Sequence, residues 1–231
     1  HRYILSKLKE GWRPEQIAGR MSLDGLVSLS HETIYRYIYR RMREGYKELA
    51  NYLRHKHRKY KSRKGIYELR GKIPRAKPIH TRPLIVETKE RIGDFETDTI
   101  IGKDHVQSIV TLVDRHSKFT MMRNAPTKEA YEVTEAILRL MEPLRGIIQT
   151  ITSDNGKEFA NHALIERRLG VDFYFAEPYK SWQRGLNEHT NGLIREYIPK
   201  KTKFETISDK FIVEIQEKLN HRPRKILGYK T

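Results

Sequence analysis

The position of Asp154 strongly constrains how this chain can fold. Residues 151–153, Ile-Thr-Ser, have the pattern of the end of a buried strand, and Asp154 follows them directly. Asn155 and Gly156 then turn the chain sharply. An acid at the carboxyl end of a core strand faces the crevice beyond that edge of the sheet. The sequence therefore predicts a functional site around Asp154.

Two further acids are expected to lie close to Asp154. Asp98 begins the apolar part of a predicted central strand, where a carboxylate is costly to bury unless it is paired or binds a metal. Glu188 belongs to a predicted helix and shares its polar side with Asn191 and Arg195, at i+3 and i+7. The apolar side of that helix is expected to face the core and consists of Leu186, Leu193, Ile194 and Tyr197.

Three converging carboxylates favour a metal ion. Held together, they repel one another and raise each other's pKa. A divalent cation removes that cost, and hard oxygen ligands are those that Mg²⁺ or Mn²⁺ prefers.

Each acid also has a simpler structural interpretation. Asp154 alone could close an Asx turn before Asn155, and Glu188 alone could be a helix-surface acid paired with Arg184 or Arg195. The joint pattern with Asp98 favours the catalytic interpretation.

Four other acids are weighed against these three. Asp94 and Glu96 share the strand parity of Asp98, which is preferred because an apolar run follows it. Glu158 is either a further acid near the metal or a charge at a helix N-terminus. Asp114 is expected to cap the turn that follows it rather than to bind metal.

The three acids resemble the DDE triad of bacterial insertion-sequence transposases. Asp98, Asp154 and Glu188 are ordered as in that class, with 33 residues between the last two (188 − 154 − 1). Within the class the chain resembles the IS-thirty family, through motifs at residues 93–102 (G-D-F-E-T-D-T-I-I-G), 111–119 (T-L-V-D-R-H-S-K-F), 153–159 (S-D-N-G-K-E-F), 182–202 (W-Q-R-G-L-N-E-H-T-N-G-L-I-R-E-Y-I-P-K-K-T) and 219–225 (L-N-H-R-P-R-K). Phe95 and Thr97 depart from the usual Trp and Gly but leave the triad intact.

The resemblance implies a metal-dependent activity on DNA. Asp98 would bridge two Mg²⁺ or Mn²⁺ ions, and Asp154 and Glu188 would each hold one. Water would cut the transposon end, and the exposed 3′-OH would attack target DNA without a protein nucleophile. The implied partners are double-stranded DNA, as terminal repeats and as target, and a second copy of the chain in a homodimer or higher oligomer.

The net charge also points to nucleic acid. The 231 residues contain 46 Lys and Arg against 29 Asp and Glu, a formal charge of +17, which favours a polyanionic partner. An anionic membrane is the rival, but we find no apolar run near 18 residues and no isolated basic amphipathic anchor. The absence of cysteine excludes disulfides and thiolate zinc sites, and the lack of a signal-peptide pattern favours the cytoplasm.

Residues 1–45 are predicted to form a helix-turn-helix DNA-binding domain. Helices are expected at residues 2–10, from Pro14, and at His31–Arg43, where Ser30 supplies the N-cap. The residues expected to approach DNA are His31, Glu32, Thr33, Arg36 and Arg40. The alternative is a small helical bundle with a solvated basic face.

Residues 46–90 are predicted to be a basic linker. Between Arg54 and Arg82 there are 12 Lys or Arg and one acid, Glu68. Such a tract has no core of its own and is expected to order on phosphate, with contacts from Arg58, Lys59, Lys61, Arg63 and Lys64. The alternative is a linker that only adds solubility.

Residues 91–231 are predicted to form the catalytic domain. Three strand patterns are followed by alternating helices and strands, which indicates a mixed α/β sheet covered by helices. That order is similar to the ribonuclease-H-like fold. Residues expected to line a DNA groove are Trp182, Arg184, Arg195, Lys200 and Lys201, although Trp182 could instead only pack.

Two rival functions stay open on sequence alone. One is a nuclease or resolvase with the same fold, against which the predicted helix-turn-helix and basic linker argue. The other is a catalytically idle DNA-binding regulator, against which the intact triad argues.

Overall fold

The computed structural model describes residues 1–53, 73–103, 106–178 and 180–231. They divide into two compact units, one with residues 1–53 and 220–231 and the other with residues 73–219. The predicted phosphate contacts Arg58, Lys59, Lys61, Arg63 and Lys64 lie outside the described residues. The predicted domain ranges stay a prediction.

The first unit is built on three helices, α1 (Arg2–Lys9), α2 (Pro14–Leu23) and α3 (His31–Arg43). Ser30 Oγ accepts the Thr33 backbone N–H at 3.2 Å, so the predicted N-cap of α3 is confirmed. Helix α2 lacks a Ser or Thr cap, and the Gln16 side chain compensates by accepting the Arg13 backbone N–H at 2.9 Å. The core of this unit is formed by Ile4, Leu8, Trp12, Ile17, Met21, Ile34, Ile38 and Leu49.

The C-terminal segment belongs to this first unit. Gln16 Nε2 donates to the Pro223 carbonyl at 3.0 Å, and Lys225 Nζ lies 2.8 Å from the Glu15 carboxylate. The Tyr229 ring lies over Gly19 so closely that a Cβ there would be 2.4 Å from the ring. Residues about 200 positions apart in the sequence thus contact each other within one compact unit, which the helical periodicity does not predict.

Six strands of the second unit, counted within its described residues, form one mixed sheet. They are β1 (Lys77–Pro78), β2 (Asp94–Ile101), β3 (Ser108–Asp114), β4 (Thr120–Ala125), β5 (Thr150–Ser153) and β6 (Asp172–Phe175). Their order is β1-β6-β5-β2-β3-β4, with β3 antiparallel to both neighbours and the other pairs parallel. The short edge strand β1 was not predicted.

Helices cover both faces of this sheet. They are α4 (Leu84–Thr88), α5 (Ala130–Met141), α6 (His162–Leu169), α7 (Gly185–Ile194) and α8 (Asp209–Asn220). Side chains alternate along β3, so Val110 and Leu112 join one core with α5 and α6, while Ile109 joins the other with α7 and α8. Strand β2 lies centrally between β3 and β5, as the first long strand does in the ribonuclease-H-like fold, and the predicted fold class is confirmed.

Candidate active site

The register of the sheet places Asp98 beside Asp154. Strands β2 and β5 run parallel, with Phe95 opposite Ile151 and Glu96 opposite Thr152. Two residues further on, Asp98 and Asp154 are therefore level with each other, and neighbouring strands are about 4.8 Å apart. Because parallel strands end at the same edge, both carboxylates lie where the sheet opens.

A guanidinium group lies between these two carboxylates. Arg184 Nη2 is 3.2 Å from Asp154 Oδ2, and Arg184 Nη1 is 3.8 Å from Asp98 Oδ1. Nη1 also donates to the Thr97 carbonyl at 3.1 Å. The Arg184 side chain is 12% exposed, against 20% for Asp98 and 30% for Asp154. One partly buried cation thus faces two acids.

The Asp98 carboxylate is held from two sides. Its Oδ1 accepts the Thr99 backbone N–H at 2.9 Å, and its Oδ2 accepts the Asn191 side-chain amide at 2.7 Å. Burial raises the pKa of Asp98 to about 6, although Arg184 lowers it; the nearby Asp154 raises it further. The site therefore favours additional positive charge beside Asp98.

Helix α7, which carries Glu188, contacts β2 beside Asp98. Arg184, four residues before Glu188, and Asn191, three residues after it, both contact Asp98. Asn191 lies three residues after Glu188 within α7, so these two side chains share one side of the helix. Glu188 is exposed, as predicted for an acid off the apolar stripe.

The polar residue Asn187 fastens α7 to β2, although it was not among the predicted site residues. Asn187 is buried; its side chain donates to the Thr97 carbonyl at 3.0 Å and its backbone N–H to Glu96 Oε2 at 3.3 Å. Thr190 is also buried. Of the predicted apolar stripe, Ile194 is buried, and Leu193 and Tyr197 pack against the same core. The sequence signal that could have identified Asn187 and Thr190 is their helical spacing, seven and four residues before the buried Ile194.

Asp94 and Glu96, which share the strand parity of Asp98, have different surroundings from it in the structure. Asp94 is fully buried and forms an ion pair with Arg91 at 2.8 Å. Glu96 is buried against the Arg115 guanidinium. Both carboxylates are buried in ion pairs, whereas the Asp98 side chain is 20% exposed, which agrees with the preference for Asp98.

Asp114 and Glu158 also have assigned contacts. Asp114 Oδ2 accepts the backbone N–H groups of His116 at 3.1 Å and Ser117 at 2.6 Å, so its predicted capping role is confirmed. Glu158 accepts the Thr99 hydroxyl at 3.0 Å and packs over Gly156. Glu158 therefore lies near both aspartates without contacting either in a described hydrogen bond.

The Asp98–Asp154 pair fits a hard divalent cation in its chemistry. Both side chains offer carboxylate oxygens, and both already face a positive charge. Within the described ranges, no group of three acidic or histidine side chains lies close enough to hold a metal ion together. The assignment of Glu188 as the third ligand stays a prediction.

The predicted DNA contacts lie mostly at the surface. His31, Glu32, Thr33, Arg36 and Arg40 are exposed on α3, and Lys200 and Lys201 are exposed after α7. Arg195 Nη2 donates to the Ile101 carbonyl at 2.8 Å, which leaves the side chain only partly exposed. The side chain of Trp182 is outside the described part of the structure. DNA binding by these residues stays a prediction.

The described helices contain no segment long and apolar enough to cross a membrane. The predicted cytoplasmic location is not tested by this observation.

Similarity to known proteins identifies first the class and then the family of this chain. Residues 92–181 match the family model of the integrase core domain, the class that the fold and the paired aspartates define. Over 228 residues the chain is 49% identical to the transposase of insertion sequence element IS4351 from Bacteroides fragilis, covering 99% of this chain and 70% of that relative. It is 35% identical over 242 residues to transposase InsI of IS30C from Escherichia coli K12, covering 99% of this chain and 62% of InsI. The chain belongs to the IS-thirty family of insertion-sequence transposases, and the predicted family is confirmed.

Solved structures resemble it more distantly. The catalytic core domain of BIV integrase has 18% identity and a TM-score of 0.43, covering 58% of this chain and 84% of that one. A simian T-cell lymphotropic virus intasome has 18% identity and a TM-score of 0.45, covering 78% and 63%. Neither similarity is close enough to support an argument about function.

Proposed function

We propose that this transposase cuts DNA at the ends of its insertion sequence and joins the resulting 3′-OH to target DNA. The observation that supports the proposal is that Asp98 and Asp154 are level across two parallel strands and that Asn191, on the helix that also carries Glu188, donates to Asp98. We assign these three acids as ligands of two Mg²⁺ or Mn²⁺ ions. Such ions activate the attacking oxygen and neutralise charge on the leaving oxygen.

The residues around the acids set their orientation. Asn191 and the Thr99 backbone N–H each donate to one oxygen of Asp98, so its carboxylate is fixed in one plane. Asn187 bonds to the Thr97 carbonyl and to Glu96, which holds the start of α7 against β2. Because Glu188 follows Asn187 directly, these bonds also position Glu188.

Both chemical steps are exchanges at phosphorus. In the first, water attacks the phosphodiester at the transposon end, the P–O3′ bond breaks, and a free 3′-OH and a 5′-phosphate result. In the second, that 3′-OH attacks a target phosphodiester, one P–O bond forms and one breaks, and the target 3′-OH leaves. No covalent protein intermediate is required.

We propose that α3 recognises DNA and that the active protein is a dimer or larger oligomer on paired ends. Basic residues Arg36 and Arg40 are exposed on α3 beside His31, Glu32 and Thr33. Helix N-terminal residues of such a helix reach base edges in the major groove. The formal charge of +17 supports a large phosphate contribution to affinity.

A strand-transfer assay tests the proposal. The protein is incubated with a labelled duplex ending in its own terminal repeat and with a target plasmid, in Mg²⁺, Mn²⁺ or EDTA. We expect metal-dependent joining that Glu188→Gln abolishes. Glu214→Gln, which changes an exposed acid on α8, is the matched control and should retain joining.

The other outcomes separate the rival functions. Metal-dependent nicking without joining would support a nuclease or resolvase instead. Tight binding of the duplex without cleavage in either metal would support a DNA-binding regulator and refute the enzymatic proposal.

A further inference from the structure

The Arg184 side chain is held beside the two aspartates by several contacts and is largely buried, unlike an exposed surface ion pair. Its guanidinium lies 3.2 Å from Asp154 and 3.8 Å from Asp98, and it donates to the Thr97 carbonyl at 3.1 Å. The side chain is 12% exposed. A long cationic side chain loses rotamer freedom when it is ordered in this way, so three convergent acceptors are needed to hold it.

The backbone that carries Arg184 is also anchored. The residue ends a 3₁₀ turn (Ser181–Arg184) immediately before α7. In that turn Gln183 Oε1 accepts the Glu177 backbone N–H at 2.8 Å, and Gln183 Nε2 donates to the Glu177 carboxylate at 3.2 Å. The guanidinium can therefore leave the aspartates by side-chain rotation while the turn stays in place.

A guanidinium and a divalent cation compete for the same carboxylate oxygens. Two like charges about 4 Å apart in a partly buried site repel each other much more strongly than they would in bulk water. A dication is repelled about twice as strongly at that distance. The aspartates therefore cannot serve both cations fully at once.

We propose that Arg184 is the resident counter-ion of the Asp98–Asp154 pair and that it releases both carboxylates when divalent ions bind. The inference rests on the proposed function, because it takes the two aspartates as metal ligands. Arg184 is a positioning residue here: it keeps two like charges together in the metal-free protein and sets how readily metal enters.

The released guanidinium needs a new partner of negative charge. A DNA phosphodiester suits it, because the planar fork of arginine binds two phosphate oxygens at once. DNA binding beside Arg184 then favours metal binding, and by thermodynamic reciprocity metal favours DNA binding. The transposase would thereby assemble its metal site chiefly when a DNA end is present.

The test measures Mn²⁺ binding to the full chain without DNA, by the electron paramagnetic resonance signal of free Mn²⁺. We expect Arg184→Gln to bind Mn²⁺ at least about tenfold more tightly than the parent chain, since the competing cation is gone. Arg184→Lys keeps the charge and should stay within about threefold of the parent. Arg168→Gln is the matched control, because it removes one arginine from an exposed ion pair with Glu142, and it should bind as the parent does.

Thermal unfolding in EDTA gives a second measurement. Arg184→Gln should melt at a lower temperature than the parent, because Asp98 and Asp154 then face each other without a cation. Saturating Mn²⁺ should raise the melting temperature of Arg184→Gln more than that of the parent. A terminal-repeat duplex should tighten Mn²⁺ binding by a larger factor in the parent than in Arg184→Gln.

Each remaining outcome overturns a different statement. Equal Mn²⁺ affinity in the parent and Arg184→Gln would refute the counter-ion role while leaving the proposed function intact. An equal effect of the duplex on both proteins would refute the exchange of Arg184 onto phosphate. Mn²⁺ binding that persists unchanged in Asp98→Asn would refute the metal assignment, and the inference with it.

Discussion

The buried pair of Arg115 and Glu96 allows a sharp test of how the catalytic strand is held. Arg115 is the largest fully buried side chain among the described residues, and its Nε donates to the Val86 carbonyl at 3.1 Å. Its guanidinium also pairs with Glu96, which is 1% exposed, and lies 3.2 Å from the half-exposed Glu87. Glu96 Oε2 in turn accepts the Asn187 N–H of α7.

Arg115→Met should destabilise the second unit by about 3–5 kcal/mol, because it leaves the Glu96 carboxylate buried without its cation. Glu96→Gln should cost less, about 1–3 kcal/mol, since Arg115 keeps Glu87 and the Val86 carbonyl. The double variant should lose about 1–3 kcal/mol less than the sum of the two single losses, because no buried charge is then left unpaired.

Urea denaturation at neutral pH measures these losses, with far-ultraviolet circular dichroism as the signal. The two compact units can unfold in separate transitions, so each curve is fitted for the transition that the variants shift. Arg168→Gln, in an exposed ion pair, is the control and should change little. A loss below about 1 kcal/mol for Arg115→Met, or strict additivity in the cycle, would show that the pair does not hold β2 as argued.

Three further predictions follow from single residues. Gly93 has φ +105°, and a Cβ there would lie 2.2 Å from the Ile147 carbonyl. Gly93→Ala should therefore destabilise by at least about 2 kcal/mol in the same urea assay. Gly146→Ala is the control and should not destabilise, because the space around Gly146 is open. Burial lowers the pKa of Lys118 to about 8, below its unfolded value of 10.5, so stability should rise with pH between about 8 and 10.5. Lys118→Met should remove that rise and stabilise at pH 7 by about 1 kcal/mol, a reduced figure because the side chain is partly exposed; a rise that persists would contradict the assignment. Arg36 is exposed on α3, and Arg36→Gln should weaken binding of the terminal-repeat duplex by about tenfold without changing the free energy of unfolding. An unchanged affinity, measured by fluorescence anisotropy, would show that Arg36 does not contact DNA.

Local patterns were sufficient for most helices and strands. Helix α3 begins at His31 and ends at Arg43 as predicted, because Ser30 caps it and Ile34 and Ile38 recur at helical spacing. Strand β5 ends at Ser153 as predicted, because Asn155 and Gly156 follow Asp154 in a turn. These signals depend only on neighbours in the chain.

Contacts between distant residues were not readable in the same way. The pairing of Glu96 with Arg115, 19 residues further along the chain, depends on how the strands and loops meet, and the alternation of side chains along β2 did not reveal it. Arg184 was predicted as a DNA contact, and its position between two aspartates follows from the approach of α7 to β2. Its binding to DNA stays a prediction.

By itself the sequence determined the family, the alternation of strands and helices and the choice of Asp98, Asp154 and Glu188 as candidates, because motifs and periodicity are local properties of the chain. The tertiary structure alone decided that Asp98 and Asp154 are level across two parallel strands, and that Arg184 lies between them. The physical reason is that strand register and helix docking are set by packing across the whole core, which brings together side chains that are far apart in the sequence.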